Sequence, residues 1–236
     1  MVSNIKPVYL LAGGRPRDSR SQDLTLESIF QESGKKSPII AYSGTANGDN
    51  EDFFHRMTDA FGGSGAASVT HALIAPDNAD IKKARDILEE ADIIFIGGGD
   101  VDRGIKVLKE KEMLEFMKNL YEQGRLFFGS SAGAIMLAKE WVRWSDPDDS
   151  SSAELFPCLD LAPVICDCHD EECDWEELKT ALRLKEDGTI GYGLTAGSAI
   201  KVSPEGDIEV LNGVVHPYIR HGKNVDRMAD IRRALS

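Results

Sequence analysis

The sequence predicts a single α/β domain built on a mostly parallel β-sheet with helices on both faces. Three observations carry this prediction. Short apolar runs of strand length alternate with longer amphipathic segments along most of the chain. Several runs are continuously apolar, which is typical of strands covered on both faces. Glycines follow several of these runs, as expected where a parallel strand ends and turns toward the next helix.

The elements of the amino-terminal part follow one another as strand and helix. Periodicity predicts strands at residues 7–12, 37–42, 68–75, 92–96 and 126–128, and helices at 24–31, 50–61, 77–90 and 134–138, with one or two helical segments between 104 and 123. The carboxyl ends of parallel strands share one edge of a sheet, where ligands of such folds bind. We therefore expect the functional residues to follow strands.

The carboxyl-terminal part is richer in strands. The pattern predicts a strand at 161–166, a helix at 174–184, a strand at 193–196, and a closing helix at 225–235. Two further strands, at 198–202 and 208–211, are divided by a turn and predict an antiparallel hairpin on the sheet edge. No repeat or linker divides the chain, so residues 1–236 are interpreted as one domain.

Composition excludes several classes of function. The net charge of −13 argues against binding to nucleic acid or to anionic membranes, because both need a basic surface. No run of about 18 apolar residues occurs, and the first residues lack the apolar core of a secretory signal, so we expect a cytoplasmic protein. The four cysteines all lie within residues 158–173 and are interpreted as reduced thiols.

The chain is organised around the sequence Gly129-Ser130-Ser131-Ala132-Gly133, which follows an apolar strand and precedes good helix formers. This Gly-x-Ser-x-Gly spacing is typical of a nucleophile elbow, where a sharp strand-to-helix turn presents a serine. Ser131 is then the candidate nucleophile, and the Ala132 amide half of an oxyanion hole. An ordinary tight turn fits the same spacing. The presence of other catalytic groups is therefore needed to distinguish a nucleophile elbow from such a turn.

A serine nucleophile needs a base and a second oxyanion donor. His169 follows a predicted strand, where a parallel sheet would present it at the same edge as Ser131. The Gly-Gly-Gly-Asp sequence at 97–100 also follows a strand, and glycine lets the backbone approach a substrate closely. The loop lacks the lysine of a Walker motif and the Gly-x-Gly-x-x-Gly spacing of a dinucleotide site.

Four motifs together resemble the dipeptidase E and cyanophycinase family of serine peptidases, whose fold is similar to class I glutamine amidotransferases. The motifs are residues 94–100, 129–134, Asp146-Pro147 and Asp167-Cys168-His169. The resemblance implies a Ser131, His169 and Asp146 triad with the amides of Gly98 and Ala132 as oxyanion hole. Gly99, Asp100 and Asp167 are the expected substrate-binding residues, and the implied activity is hydrolysis of short peptides without a metal or organic cofactor. A homodimer is compatible with the sequence.

One departure from the family concerns the residues after His169. The family usually continues with an aromatic or aliphatic residue and often an arginine-rich helix, whereas this chain continues Asp-Glu-Glu-Cys-Asp at 170–174. An acidic pocket would repel an aspartyl substrate unless Arg103, Arg143 or Arg183 reached it, and would favour a basic or neutral one.

Three alternatives remain open from the sequence. Cys166, Cys168, His169 and Cys173, with Asp167, have spacings that could bind zinc, although paired Cys-x-x-Cys knuckles are absent. An α/β-hydrolase-type esterase would use a histidine late in the chain, His216. A non-catalytic relative that keeps the fold is the third.

Overall fold

The structure, a computed structural model, describes residues 5–14, 19–146 and 148–233; Pro147 of the Asp-Pro motif lies outside them. Its α-helices are α1 (Ser19–Ser33), α2 (Glu51–Gly63), α3 (Ile81–Glu90), α4 (Val101–Glu110), α5 (Leu114–Glu122), α6 (Ala132–Leu137) and α7 (Glu176–Arg183). Short 3₁₀ turns occupy Thr45–Asn47, Ser150–Ser152 and Glu171–Cys173.

The strands cover much of the remainder. They are β1 (Val8–Leu11), β2 (Ile39–Ser43), β3 (Ser68–His71), β4 (Ile93–Ile96), β5 (Leu126–Ser130), β6 (Glu140–Trp144), β7 (Ala153–Pro157), β8 (Ile165–Cys168), β9 (Ile190–Leu194), β10 (Ala199–Val202), β11 (Ile208–Asn212), β12 (Val214–His221), β13 (Asn224–Arg227) and β14 (Ile231–Arg232). Among the described residues, no helix combines the length and the apolar character needed to cross a membrane.

The main sheet has the order β11-β10-β1-β5-β4-β2-β3. Strands β1, β5, β4, β2 and β3 pair in parallel, whereas β10 and β11 form an antiparallel hairpin at the edge beside β1. The predicted fold class, a mostly parallel sheet with an antiparallel edge hairpin, is therefore confirmed.

Side chains of the central strands alternate between two cores, one on each face of the main sheet. On β4, Ile94 and Ile96 belong to one core and Phe95 to the other. On β5, Phe127 and Phe128 divide in the same way. Because fully burying such a side chain contributes about 1.5–3 kcal/mol, these strands form the stable base from which the chain turns at Ser131.

A second sheet, in the order β13-β12-β9-β8 with β14 beside β12, packs against α7. The expected closing helix at 225–235 is wrong: the chain forms β13 and β14, while residues 234 and 235 lie outside the described part. Strand β12 offers backbone partners to this segment, pairing Arg220 with Val225 and Val215 with Ile231. This pairing outweighs a weak helical pattern.

Asp49 joins the turn after β2 to the segment after β3, and its carboxylate is buried. It accepts hydrogen bonds from the amides of Gly44 (2.8 Å), Ile74 (2.7 Å) and Ala75 (2.7 Å), and it lies 3.2 Å from His71 Nε2. Burial raises the pKa of Asp49, but these hydrogen bonds outweigh it and hold the pKa below the usual value.

We expect Asp49→Asn to lower the free energy of unfolding by about 2–4 kcal/mol, because an amide group leaves buried backbone donors without an acceptor. Since the pKa of Asp49 is lowered, its contribution is present above the unfolded pKa and is lost as the pH falls through the folded pKa. Urea denaturation at pH 7 and pH 3 measures both effects. Asp59→Asn, an exposed change on α2, is the control, and an equal effect of the two variants would contradict the prediction.

Candidate active site

Ser131 lies at the turn between β5 and α6 with φ 55° and ψ −126°. Its amide donates to the carbonyl oxygen of Leu11 (2.9 Å), which fixes the turn to β1. A side chain on Gly133 would overlap the carbonyl group of Ile96, and one on Gly129 would overlap the backbone of Gly133. The two glycines therefore let α6 pack directly on the sheet, and this packing holds Ser131 in a conformation that is unfavourable for residues with a side chain.

His169 follows β8, and its imidazole Nε2 lies 2.7 Å from Ser131 Oγ. Its backbone also has a positive φ, 47°, and its amide donates to the carbonyl oxygen of Leu194 (2.8 Å). We expected His169 to reach Ser131 from the same parallel sheet, but β8 belongs to the second sheet. For the serine hydroxyl to donate to Nε2, the proton of the neutral ring must be on Nδ1.

The structure does not bring Asp146 to His169. Asp146 is exposed in the turn between β6 and β7, where its carboxylate accepts from the Asp148 amide (3.0 Å) and its own amide donates to Ser152 Oγ (3.0 Å). No hydrogen bond joins Asp146 to His169, and Nδ1 of His169 has no hydrogen-bond partner in the described part of the chain. The turn satisfies its own polar groups, as acidic surface loops commonly do.

The predicted oxyanion donors lie beside Ser131. A Cβ built on Gly98 would be 3.0 Å from the Ser130 carbonyl oxygen and 3.2 Å from Ser131 Cβ, so the loop approaches the nucleophile closely. Ala132 is the first residue of α6, and its amide therefore lacks an intrahelical acceptor. Asn47 fixes the loop, because its side-chain amide donates to the Gly98 carbonyl oxygen (2.9 Å) and to the Tyr42 hydroxyl (3.1 Å).

A cleft of about 320 Å³ opens beside Ser131. Its walls come from α4, α6, α7, β6 and the end of β8, and include Gly99, Asp100, Val101, Ser131, Ala132, Ile135, Trp141, Asp167, Cys168, His169, Asp170 and Glu177. The three expected substrate-binding residues all line it. Asp100 also caps α4, since its carboxylate accepts from the Arg103 amide (2.7 Å). A larger cleft, of about 530 Å³, contains neither Ser131 nor His169.

Asp167 is the buried acidic group of this cleft, with 4% of its surface exposed. Oδ1 accepts from the Cys168 amide (2.7 Å), whereas Oδ2 forms no hydrogen bond with any described residue. Burial, followed by the charge of Glu177, raises the pKa of Asp167 to about 7; the Cys168 hydrogen bond and the nearby Leu178 amide, which does not reach hydrogen-bond geometry, partly offset this. Burial also raises the pKa of Glu177.

Sequence reasoning missed Trp141 and Glu177. Trp141 Nε1 donates to Glu177 Oε2 (2.9 Å), which joins β6 to α7 across the cleft. Neither residue follows a strand of the main sheet or belongs to a motif, and only the packing of α7 reveals them. The arginines considered from the sequence do not line the cleft. Arg143 pairs with Asp102 and Glu154, Arg183 pairs with Glu176, and Arg103 lies against Gly48.

Two alternative sites find no support in the geometry. Cys166 and Cys168 are buried in the main core while Cys173 is exposed, and in residues 5–14, 19–146 and 148–233 no group of three His, Cys, Asp or Glu side chains is arranged to hold a metal ion. His216 on β12 pairs with Asp230 (2.9 Å) and Arg227 (2.7 Å) rather than with Ser131.

Comparison with known proteins agrees with the resemblance seen in the sequence. The model of peptidase family S51 matches residues 8–210. Peptidase E of Actinobacillus pleuropneumoniae serotype 5b is 25% identical over 213 residues, which are 85% of this chain and 87% of that protein. Peptidase E of Haemophilus influenzae is 33% identical over 129 residues, and the uncharacterized peptidase YgaJ of Bacillus subtilis 27% over 131 residues. These two matches cover 51% and 55% of this chain and only 59% and 56% of the relatives' own lengths.

Two solved structures show the same fold at low sequence identity. A peptidase from an acI-B1 Actinobacterium has a TM-score of 0.70 at 17% identity, and the match covers 97% of both chains. A putative peptidase E from Listeria monocytogenes EGD-e has a TM-score of 0.62 at 15% identity, with 87% of this chain and 97% of that chain covered. The overall fold is therefore shared with these two solved structures.

The raised pKa of Asp167 predicts a pH-dependent effect of Asp167→Asn on stability. An unfolded Asp titrates near pH 3.9, whereas Asp167 in the folded protein titrates at about 7. The folded state binds the extra proton between these values, so wild-type stability should fall relative to the variant as the pH rises from 4 to 7, by up to about 4 kcal/mol, and stay constant above. Urea unfolding at pH 5, 6, 7 and 8 measures this, with the exposed Asp148→Asn as control. A pH-independent difference would contradict the prediction.

Proposed function

The chain belongs to peptidase family S51, and from this premise we propose that it is a serine peptidase that hydrolyses short peptides. The observation that carries the proposal is the 2.7 Å contact between Ser131 Oγ and His169 Nε2 at the nucleophile elbow. A serine hydroxyl within hydrogen-bond distance of an imidazole is the arrangement by which a weak nucleophile becomes reactive at neutral pH.

In the proposed mechanism, His169 takes the proton of Ser131 as the oxygen attacks the peptide carbonyl carbon. The amides of Gly98 and Ala132 then donate to the oxyanion of the tetrahedral intermediate. His169 returns the proton to the leaving amine, and the acyl-serine remains. Water hydrolyses the acyl-serine in the second half of the reaction, again with His169 as the base. No step needs a metal ion or an organic cofactor.

Two observations support the proposed substrate: the size of the cleft favours a short one, and the name of the relatives favours a peptide. The cleft of about 320 Å³ is at the lower end of the volumes of small-molecule sites, which suits a short peptide. The relatives called Peptidase E match this chain over up to 85% of its length. The closely apposed serine and histidine also favour a hydrolase over a non-catalytic relative, because backbone contacts already hold the elbow and it does not need such a pair for its stability.

The proposal predicts that a fluorophosphonate probe labels Ser131 and that Ser131→Ala abolishes both labelling and dipeptide hydrolysis. His169→Ala should be equally damaging, whereas His216→Ala should retain activity within about tenfold, since His216 contacts Asp230 and not the elbow. Mapping of the labelled peptide and steady-state kinetics measure both, with circular dichroism to confirm folding. Inactivation by His216→Ala in a folded variant would favour the esterase arrangement instead.

The acid of the triad is tested separately, because Asp146 matches the family position but bonds to its own turn. We expect Asp146→Asn and Asp148→Asn each to lower kcat by less than about tenfold, since neither side chain reaches His169. An orienting carboxylate would instead cost on the order of 10⁴ in kcat. A loss of that size in Asp146→Asn alone would show that the turn closes on His169 during the reaction, and would give Asp146 the role that the family pattern implies.

A further inference from the structure

The described residues give the cleft beside Ser131 an excess of negative charge. Asp167, Asp170 and Glu177 line it, and among the described residues none of its lining side chains is a lysine or an arginine. Lys179, two residues after Glu177 on α7, pairs instead with Asp174 and Glu176. A substrate carboxylate would be repelled here, because no lysine or arginine among the described lining residues compensates for the acidic walls.

Two carboxylate oxygens in this cleft are buried without hydrogen-bond donors. Oδ2 of Asp167 and Oδ2 of Asp170 have no partner in the described part of the chain, and Asp167 is 4% exposed. An unpaired buried polar atom costs about 1–3 kcal/mol, and more when it is charged. Such oxygens can be stabilised by a ligand that brings N–H donors and a positive charge, and guanidinium and ammonium groups supply both.

The remaining walls suit the aliphatic stem of a basic side chain. Ile135 and Trp141 line the cleft together with the acidic residues. The indole of Trp141 is held in place by its hydrogen bond to Glu177 and by the Phe156 ring. The centroids of the two rings lie 6.5 Å apart, and their planes are nearly perpendicular. Lysine and arginine place their methylene groups against such apolar surfaces while their charged ends reach polar groups.

The burial of Asp167 distinguishes a side-chain cation from the amino terminus of a peptide. The α-ammonium group lies only two bonds from the carbonyl carbon that Ser131 attacks, whereas the charged end of a lysine or arginine side chain extends several bonds further. Because Asp167 is exposed by only 4%, the longer side chain is the better match for its carboxylate.

We propose that this cleft binds the basic side chain, lysine or arginine, of the residue whose carbonyl group Ser131 attacks, with Asp167, Asp170 and Glu177 as the specificity-determining residues. The proposal rests on the peptidase function proposed above and names its substrate class. It differs from selection of an acidic side chain, for which the described residues provide no cation.

The experiment compares Arg-Gly with citrulline-Gly, which have nearly the same shape and the same α-ammonium group but differ in side-chain charge. We expect wild-type kcat/KM to be at least about tenfold higher for Arg-Gly, which corresponds to one charge-assisted hydrogen bond. Asp167→Asn and Glu177→Gln should each reduce this ratio by about tenfold or more. Glu172→Gln, an exposed change of equal charge outside the cleft, should leave the ratio unchanged.

The outcomes separate this inference from the peptidase proposal. Labelled Ser131 with equal cleavage of the two peptides would overturn the cation site and leave the peptidase proposal standing. A preference for Arg-Gly that survives both cleft substitutions would also overturn it. If wild-type protein is neither labelled nor active, the peptidase proposal fails, and calorimetry on Ser131→Ala then decides: at least tenfold tighter binding of Arg-Gly supports the cation site, and equal binding overturns it.

Discussion

The close packing of α6 on the main sheet is the constraint on which the site depends. Gly133 lies against the Ile96 carbonyl group, and Gly129 lies against Gly133 itself, so neither position has room for a side chain. Along that path Ser131 takes a positive φ, and its side chain is displayed toward the second sheet. The free energy gained by burying the apolar strands offsets the strain of the Ser131 backbone.

Electrostatics gives the two ends of the cleft different properties. In the proposed mechanism, the Gly98 and Ala132 amides supply partial positive charge beside Ser131, where an oxyanion would form. Asp167 and Glu177 line the same cleft with carboxyl groups, together with the indole of Trp141, and burial raises the pKa of both carboxyl groups. A substrate with a polarised carbonyl group and a distant cation would satisfy both ends at once, which orients it in the cleft.

The sequence predicted those features that depend on local pattern. The elbow at Ser131 and the apolar strands follow from short-range periodicity and glycine spacing, and the edge hairpin follows from its turn signal. Other features depend on which sheet edges and helix faces are free after the main sheet forms. These are the position of β8 in a separate sheet, the strands β13 and β14, and the contact of Trp141 with Glu177. The separation of Asp146 from His169 likewise depends on a turn that satisfies its own hydrogen bonds. The local sequence pattern does not predict these tertiary contacts.

The serine and the histidine are carried by different sheets, and this has a consequence for how the protein would lose activity. The hydrogen bond from Ser131 to His169 crosses the boundary between the sheets, where Cys166 and Cys168 of β8 pack in the same core as α6. A small displacement of one sheet relative to the other would separate Ser131 from His169, while the backbone hydrogen bonds within each sheet would remain intact. The 2.7 Å contact between Ser131 and His169 therefore depends on the relative position of the two sheets. Mutations far from the cleft that loosen this boundary would abolish activity, although the secondary structure of the protein would be unchanged.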